Sequence, residues 1–552
     1  MKIAHAHKKD ARPVNAAQGK GSLSFYPVPM TIKMKMSDTI SEAQIEGSVS
    51  AQLARPGFIP DRVLYPIYSL SLAVSVSIWF IAIRSPLWLD ENHSFYVIKS
   101  GFSQIMSRMG WPIVPVYSYI LWLSTKVIGT SELALRIPSI LAMLAAVYLL
   151  YLAARKLFDP DIAIIAAVVF CLHPIVIFAS IDARPYAFAA LTINASILAL
   201  VYLRHNNSNW LAALFGLTAA SIAYFQFMFV VILPALAIAF VAVKIGDRKT
   251  LWRQATVAFA AFALAFLPVI PVLQLMFHTR GSHVFSQAPT LHELVSTLGL
   301  RELMFVLIGC LLLAAATRHL DLKSRPEGWR FLFCASLGLV PILILYGVSV
   351  GTPIHVFVER YRLVAIPGIA LCWAWLVSRI DSRALRLMFC VALVTVAACL
   401  SFSSPFSRLH NYTWKYALEF VEKDASRDNA PVLICSDFPE ADVAPMPVGA
   451  AVEDNGFFAP LASYPLSVPV VGLPRALNDE AIRVASGFLQ EAAERRERFL
   501  AVAYRPSYRT LDWIVSSASR THDVRELGTF DGIKVLEFIP HAQPDSGAVG
   551  TK

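Results

Sequence analysis

Apolar and polar residues fall in long blocks along this chain, not in residue-by-residue alternation. Between residues 64 and 403, apolar runs of 15 to 22 residues recur, separated by short polar stretches. Runs of that length predict α-helices that cross a bilayer, whose hydrocarbon core takes about 20 apolar residues per span. The short alternating strands of a membrane barrel are absent from the pattern. Predicted spans are 64–84, 134–152, 161–178, 186–203, 210–224, 226–243, 254–275, 302–317, 331–350, 361–378 and 386–403, about eleven in all. Beyond residue 404 the pattern changes. PVLICSDF at 430–437, RFLAVAY near 498–503 and IKVLEFI at 533–539 read as strands, with helical stretches at 411–424 and 478–498.

The fold expected is therefore mainly α. It is a polytopic helical membrane protein with a small C-terminal α/β extramembrane domain. Residues 1–60 read as a disordered cytoplasmic tail, 61–403 as the transmembrane body with an external loop at 85–133, 404–540 as the external α/β domain and 541–552 as a disordered tail. No basic start leads into a short apolar core, so no cleavable signal peptide is expected, and Met30, Met34 and Met36 are alternative starts.

The block WPIVPVYSYILWLSTKVI at 111–128 decides the threading. If it does not cross, the basic loops 153–160, 204–209, 244–253, 318–330 and 379–385 all face the cytoplasm, as the positive-inside rule asks. Its prolines, Pro112 and Pro115, and its aromatic residues, Trp111, Tyr117, Tyr119 and Trp122, suit a helix lying at the outer surface. A twelfth true span is the alternative. The chosen threading places 85–133, the turn near 179–185, 276–301, 351–360 and the C-terminal domain outside, in a plasma or inner membrane.

Composition agrees with the pattern. The chain is 56% hydrophobic and only 16% charged, against about 25% charged in a soluble protein. Its net charge of +10 does not point to nucleic acid. Residues 405–552 hold 15 Lys/Arg against 20 Asp/Glu, a balance of 15 − 20 = −5, so the positive charge lies in the tail and membrane portion. Six of seven cysteines sit in apolar segments and Cys435 is alone in the C-terminal domain, which suggests neither a disulfide framework nor a zinc site. No phosphate-binding loop of the G-x-x-x-x-G-K-[ST] type and no dinucleotide fingerprint occurs.

The chemistry-bearing residues cluster at span ends on the predicted outer side. LWLDENHSFYVIKSG at 87–101 carries Asp90, Glu91 and His93. Carboxylates beside a low-dielectric slab are costly unless paired. One could serve as a general base while the other holds a cation or an arginine, although ordinary loop acids would look the same. His93 has no strong metal spacing. Asp182 and Arg184 stand between two apolar runs, before Pro185 and Tyr186. Asp182 is placed to cap the following helix, and Arg184 suits a lipid phosphate. Glu359, Arg360, Tyr361 and Arg362 precede a span, where either arginine could bind phosphate with Glu359 orienting it, or the group could be a local ion-pair network. The loop 276–301, with His278, Arg280, His283, His292, Glu293, Arg301 and Glu302, reads as a cover. Asn411-Tyr412-Thr413 matches a glycosylation acceptor only formally.

In this order the features resemble the polytopic, lipid-carrier-dependent glycosyltransferases of the C type, above all the branch of protein O-mannosyltransferases and the lipid A aminoarabinose transferase. The resemblance rests on Asp90-Glu91 in the first long loop, the juxtamembrane block 111–128, GTSELALRIPSI at 129–140 and the basic turn ARKLFD that ends at Asp159. It continues with Asp182-Ala183-Arg184-Pro185-Tyr186 and Arg360-Tyr361. It is good over 60–250, partial to 378 and weak beyond. Asp182 departs from it, since glutamate is common there. The resemblance implies an inverting transfer of a sugar from an isoprenoid phosphate donor to a glycan, lipid or protein acceptor in the cell envelope. It implies Asp90 as base, Glu91 as its support or a cation ligand, and Arg184 with Arg360 or Arg362 on the donor phosphate. His93, Asp182, Tyr186, Glu359 and Tyr361 would support them. The resemblance implies no certain cofactor, and a divalent metal at the acidic pair is compatible with it. The competing expectation is a multi-span transporter or flippase of a lipid-linked or anionic substrate, and a scaffold anchoring the external domain is a third. Transporters usually keep their charges near the midplane and show paired repeats, neither of which is evident here.

Overall fold

A computed structural model describes residues 61–109, 114–245, 247–278, 287–298, 301–320, 328–403, 414–442 and 452–542. The expected tail at 1–60 and residues 543–552 of the expected tail at 541–552, together with Trp111, Pro112, Arg280, His283 and Asn411-Tyr412-Thr413, lie outside the described residues, as do the side chains of His278, Arg301 and Glu302.

The chain is mainly helical and multi-pass. Among the described residues, seven helices are long and apolar enough to cross a membrane: 62–82, 132–157, 186–205, 250–275, 328–351, 359–377 and 383–401. Pro160–Leu172 and Pro174–Ser180, meeting at 73°, pass the same test together and form either an eighth, broken span or a re-entrant loop. The break falls at His173-Pro174, where a proline interrupts the helical ladder. His173 covers the gap by accepting the Ile175 N–H on Nδ1 at 3.2 Å. Three shorter apolar helices, Asn209–Phe225, Phe227–Val243 and Leu303–Ala316, occupy the remaining predicted spans.

Pro160–Leu172 is the spine of the helical body, and every residue from Asp161 to Leu172 is buried. It packs against the helices Asp61–Ser77, Glu132–Leu157, Ile366–Val377 and Arg383–Ser403. By contrast, Trp252, Phe259 and Leu264 on the helix Arg248–Phe266 are 70% or more exposed, an outward face fit for lipid. Small residues bring backbones together, as membrane packing favours. A Cβ on Gly368 would lie 2.2 Å from the Gly338 nitrogen, so the helices Gly328–Gly351 and Ile366–Val377 touch backbone to backbone.

The described part of the block at 111–128, residues 114–128, is helical over Val116–Ile128. Its 13 residues extend about 20 Å, short of the roughly 30 Å of a bilayer core. Tyr117 and Leu121 are buried while Leu123 and Val127 face outward, as in a helix lying along a surface.

The C-terminal part folds around a five-stranded sheet of order β2-β1-β3-β5-β4. β1 is Val432–Cys435, β2 Val470–Leu473, β3 Phe499–Tyr504, β4 His522–Phe530 and β5 Ile533–Pro540. β1 lies parallel to both β2 and β3, whereas β5 runs antiparallel to β3 and β4. One core, with Trp414, Leu418 and Val421, covers one face; a second, with Leu489, Leu511 and Ile514, covers the other. Strands β1, β3 and β5 coincide with expectation. β2 and β4 were not anticipated, nor was the helix Tyr508–Ala518. β2 is four residues long, preceded by Pro469 and interrupted by Gly472. β4 is a largely half-exposed edge strand carrying Asp523, Arg525 and Glu526. β2 is apolar but too short and too broken by Pro and Gly to stand out, and β4 lacks the apolar signal of a buried strand.

Candidate active site

The first long inter-span segment becomes a helix, Leu89–Lys99, whose first turn carries Asp90 and Glu91. Being helical, the two neighbouring side chains diverge by roughly 100°, and they meet opposite environments. Glu91 is wholly buried against Arg136, itself wholly buried. The guanidinium grips the carboxylate with two bonds, Nε to Oε1 at 2.8 Å and Nη2 to Oε2 at 2.6 Å. The other three Arg136 protons go to the carbonyls of Ile83, Ser85 and Pro86. Glu91 also accepts the backbone N–H groups of Ala183 at 2.9 Å and Trp88 at 3.3 Å. All five guanidinium donors and both carboxylate oxygens are thus engaged. Of the two roles expected for Glu91, this geometry fits support and not a cation ligand. Arg136 had no role in the sequence reading. Its signal was a lone arginine inside an apolar helix, which calls for a buried partner.

Asp90 points the other way, toward partial exposure. Its Oδ2 lies 3.5 Å from Arg360 Nη1 and 3.9 Å from Arg184 Nη2, and the three side chains keep 18%, 21% and 21% of their surface. Arg184 also donates to the Asp90 carbonyl at 3.3 Å and to Ser94 Oγ at 3.4 Å, while its Nε is buried with no hydrogen-bond partner. The Arg360 guanidinium lies 5.5 Å from the Tyr361 ring. Tyr186 is buried and stacks on Phe229. Residues 270 positions apart in sequence are thereby joined at one end of the helical body.

The structure does not bring Arg362 into this group. It donates instead to Thr297 Oγ1 on the helix Leu291–Leu298 and covers Phe357 at 5.2 Å. Glu359 is exposed. That helix, in the expected cover, is capped reciprocally by Thr290 and Glu293.

Asp182 corrects an expectation. It does not cap the next helix, which starts only at Tyr186 with Pro185 in the N-cap position. Its Oδ1 instead accepts the Trp88 indole N–H at 2.9 Å, and Oδ2 is buried with no hydrogen-bond partner. Burial first, then the Glu91 charge, hold this carboxyl well above the usual carboxylate range. His93 packs edge-on to Phe438 at 5.8 Å. Burial and then the Arg184 charge lower it to about 4, against a smaller opposing effect from Asp90, so it is neutral at neutral pH.

The C-terminal domain reaches the same place. Asp437, just past β1, is buried and shares a cavity wall with Leu89. Burial pushes Asp437 and Glu440 up to about 7 each, with a further push from the Asp90 charge. Neither residue was singled out from the sequence, because only the tertiary fold brings 437–440 to Asp90. Among the described residues, no group of three His, Cys, Asp or Glu is set to hold a metal ion.

The structure of ArnT from Cupriavidus metallidurans bound to undecaprenyl phosphate superposes with a TM-score of 0.50 at 11% identity, covering 85% of this chain and 97% of that one. Its apo state gives 0.50 at 12%, with the same coverage. The Archaeoglobus fulgidus oligosaccharyltransferase tethered to an acceptor peptide gives 0.47 at 12%, covering 87% and 74%. No curated protein matches the sequence significantly. These likenesses show the fold, and one segment of the chain matches a family model, in keeping with the motif order. The family matched is the one described as dolichyl-phosphate-mannose-protein mannosyltransferase, over residues 112–274.

Proposed function

We propose that this protein is a membrane glycosyltransferase of the C type that transfers a sugar from a polyprenyl phosphate to an acceptor hydroxyl at the external face, with inversion. The observation that carries the reading is Asp90 held loosely between Arg184 and Arg360. Asp90 takes the proton of the acceptor hydroxyl. The acceptor oxygen bonds to the anomeric carbon as the bond from that carbon to the phosphate oxygen breaks, and polyprenyl phosphate leaves with the bonding pair. Arg184 and Arg360 hold the phosphate and neutralise the charge it gains. Glu91, locked to Arg136, fixes the helix turn that aims Asp90.

The two arginines are paired with Asp90 before any phosphate arrives. A phosphate competes for them, which frees the Asp90 carboxylate for the acceptor hydroxyl as the donor binds. Purified protein in lipid nanodiscs, supplied with a panel of polyprenyl-phosphate sugars and envelope acceptors, tests the reading. The expected product has the opposite anomeric configuration to the donor, read by NMR. A product of retained configuration would reject direct displacement.

A further inference from the structure

We infer that the C-terminal domain is a positioning part of the active site, acting through the hydroxyl of Tyr464. The inference rests on the proposed transfer chemistry for its kinetic consequence, but its structural half stands alone. Tyr464 donates to Glu132 Oε1 at 2.9 Å and accepts the Leu87 backbone N–H at 3.1 Å. Burial first, then the Glu132 charge, raise the phenol above its ordinary range, so it stays a neutral O–H donor. Lys415, on the first helix of the same domain, pairs with the same Glu132 oxygen at 3.1 Å.

Both anchor points lead to Asp90. Leu87 stands three residues before it, and the Leu87 carbonyl accepts from Asn92 inside the Asp90 helix. Glu132 opens the helix that carries Arg136 one turn later, and Arg136 grips Glu91. One phenolic oxygen thus ties together the segment that leads into the base and the helix that holds its neighbour. The far side of the Asp90 helix is tied to the same domain. Tyr96 donates to the Asp454 carbonyl at 2.7 Å, and Arg108 pairs with the Asp454 carboxylate at 2.7 Å. Leu87, Trp88 and Leu89 share a buried apolar cluster with Phe438 and Ala459. Without the domain, the Leu87 N–H and the Glu132 carboxylate would have to be satisfied by water, and the start of the Asp90 helix would lose its fixed origin.

The test compares two hydroxyl deletions in the full chain. Tyr464→Phe removes the bridge; Tyr508→Phe removes a bond to the Gly532 carbonyl inside the same domain. Amide hydrogen exchange across 87–99 is expected to quicken about tenfold in Tyr464→Phe and not in Tyr508→Phe. Transfer is expected to lose about tenfold in kcat, with KM for the donor held within about twofold, as for a group that aims the base and does not touch the donor. Glu132→Gln, which keeps the side-chain volume, is the second variant should Tyr464→Phe fold poorly, and is expected to shift both readouts the same way. Wild-type exchange and wild-type kcat in these variants would overturn the inference. If the wild-type chain transfers no sugar, the functional reading fails, and the exchange comparison still decides the positioning role.

Discussion

Breaking the buried Glu91–Arg136 pair is the perturbation whose size the structure sets most clearly. In Glu91→Gln the amide oxygen can replace Oε1, serving Arg136 Nε and the Ala183 N–H. The amide nitrogen, however, then faces two donors, Arg136 Nη2 and the Trp88 N–H. A guanidinium charge with no exposure loses its counter-charge, a change worth roughly 3–5 kcal/mol. Arg136→Met is at least as costly, because it also strips the Ile83, Ser85 and Pro86 carbonyls of their donor at ~1–3 kcal/mol for each that stays dry. Each single change should lower the melting temperature of the detergent-solubilised protein by roughly 5 °C, treated as an apparent value because so large a chain is not two-state. Glu91→Leu combined with Arg136→Met removes both charges. The pair should cost at least ~2 kcal/mol less than the sum of its singles. Single variants melting within about 1 °C of wild type would refute the reasoning.

Three further outcomes follow from other contacts. Asp437, raised from 3.8 to about 7, retains in the folded state a proton that the unfolded chain sheds. Its stabilising contribution is therefore present below about pH 4 and lost as pH rises through 7; Asp437→Asn should be more stable than wild type at pH 8, by as much as ~4 kcal/mol, and so melt higher there, and no higher at pH 4. His93 has the opposite sign: lowered to about 4, it contributes above pH 6.5 and loses that as pH falls through 4, so His93→Gln should flatten the acid limb of the melting profile between pH 6.5 and 4. Gly368→Leu forces a side chain into the Gly338 backbone and should abolish folded yield, while Gly347→Leu, where a Cβ meets nothing within 4 Å, should be tolerated; both are read by size-exclusion chromatography.

What was visible in the sequence follows from which interactions are local. The helices at 132–157 and 186–205 announce themselves because lipid demands an apolar run, and that demand is met residue by residue. β1, β3 and β5 are apolar for a different reason, being enclosed by the helices of their own domain. β4 borrows its stability from pairing with β5 and so carries charges that look like loop. At the site, residue types were legible but partnerships were not. Asp90 and Glu91 looked equivalent as neighbours in sequence, and only the helix turn sends one to a buried arginine and the other to the two-arginine mouth. Arg360 and Arg362 were likewise interchangeable until the backbone turned one to Asp90 and the other to Thr297. Tyr464 and Asp437 carry no local signal at all, because their importance lies in where another domain sets them down.

The central claim is that Asp90 is the base and Arg184 with Arg360 hold the phosphate. Asp90→Asn separates the two roles. It removes a negative charge from beside both arginines, worth ~0.7–3 kcal/mol to a phosphate about 6 Å away at effective dielectrics of 80 to 20. Binding of undecaprenyl phosphate and sugar transfer should be measured on the same preparation. The account predicts binding tightened about threefold or more alongside transfer reduced by about 10²-fold or more. Full transfer by Asp90→Asn, or weakened binding of the phosphate, would contradict it.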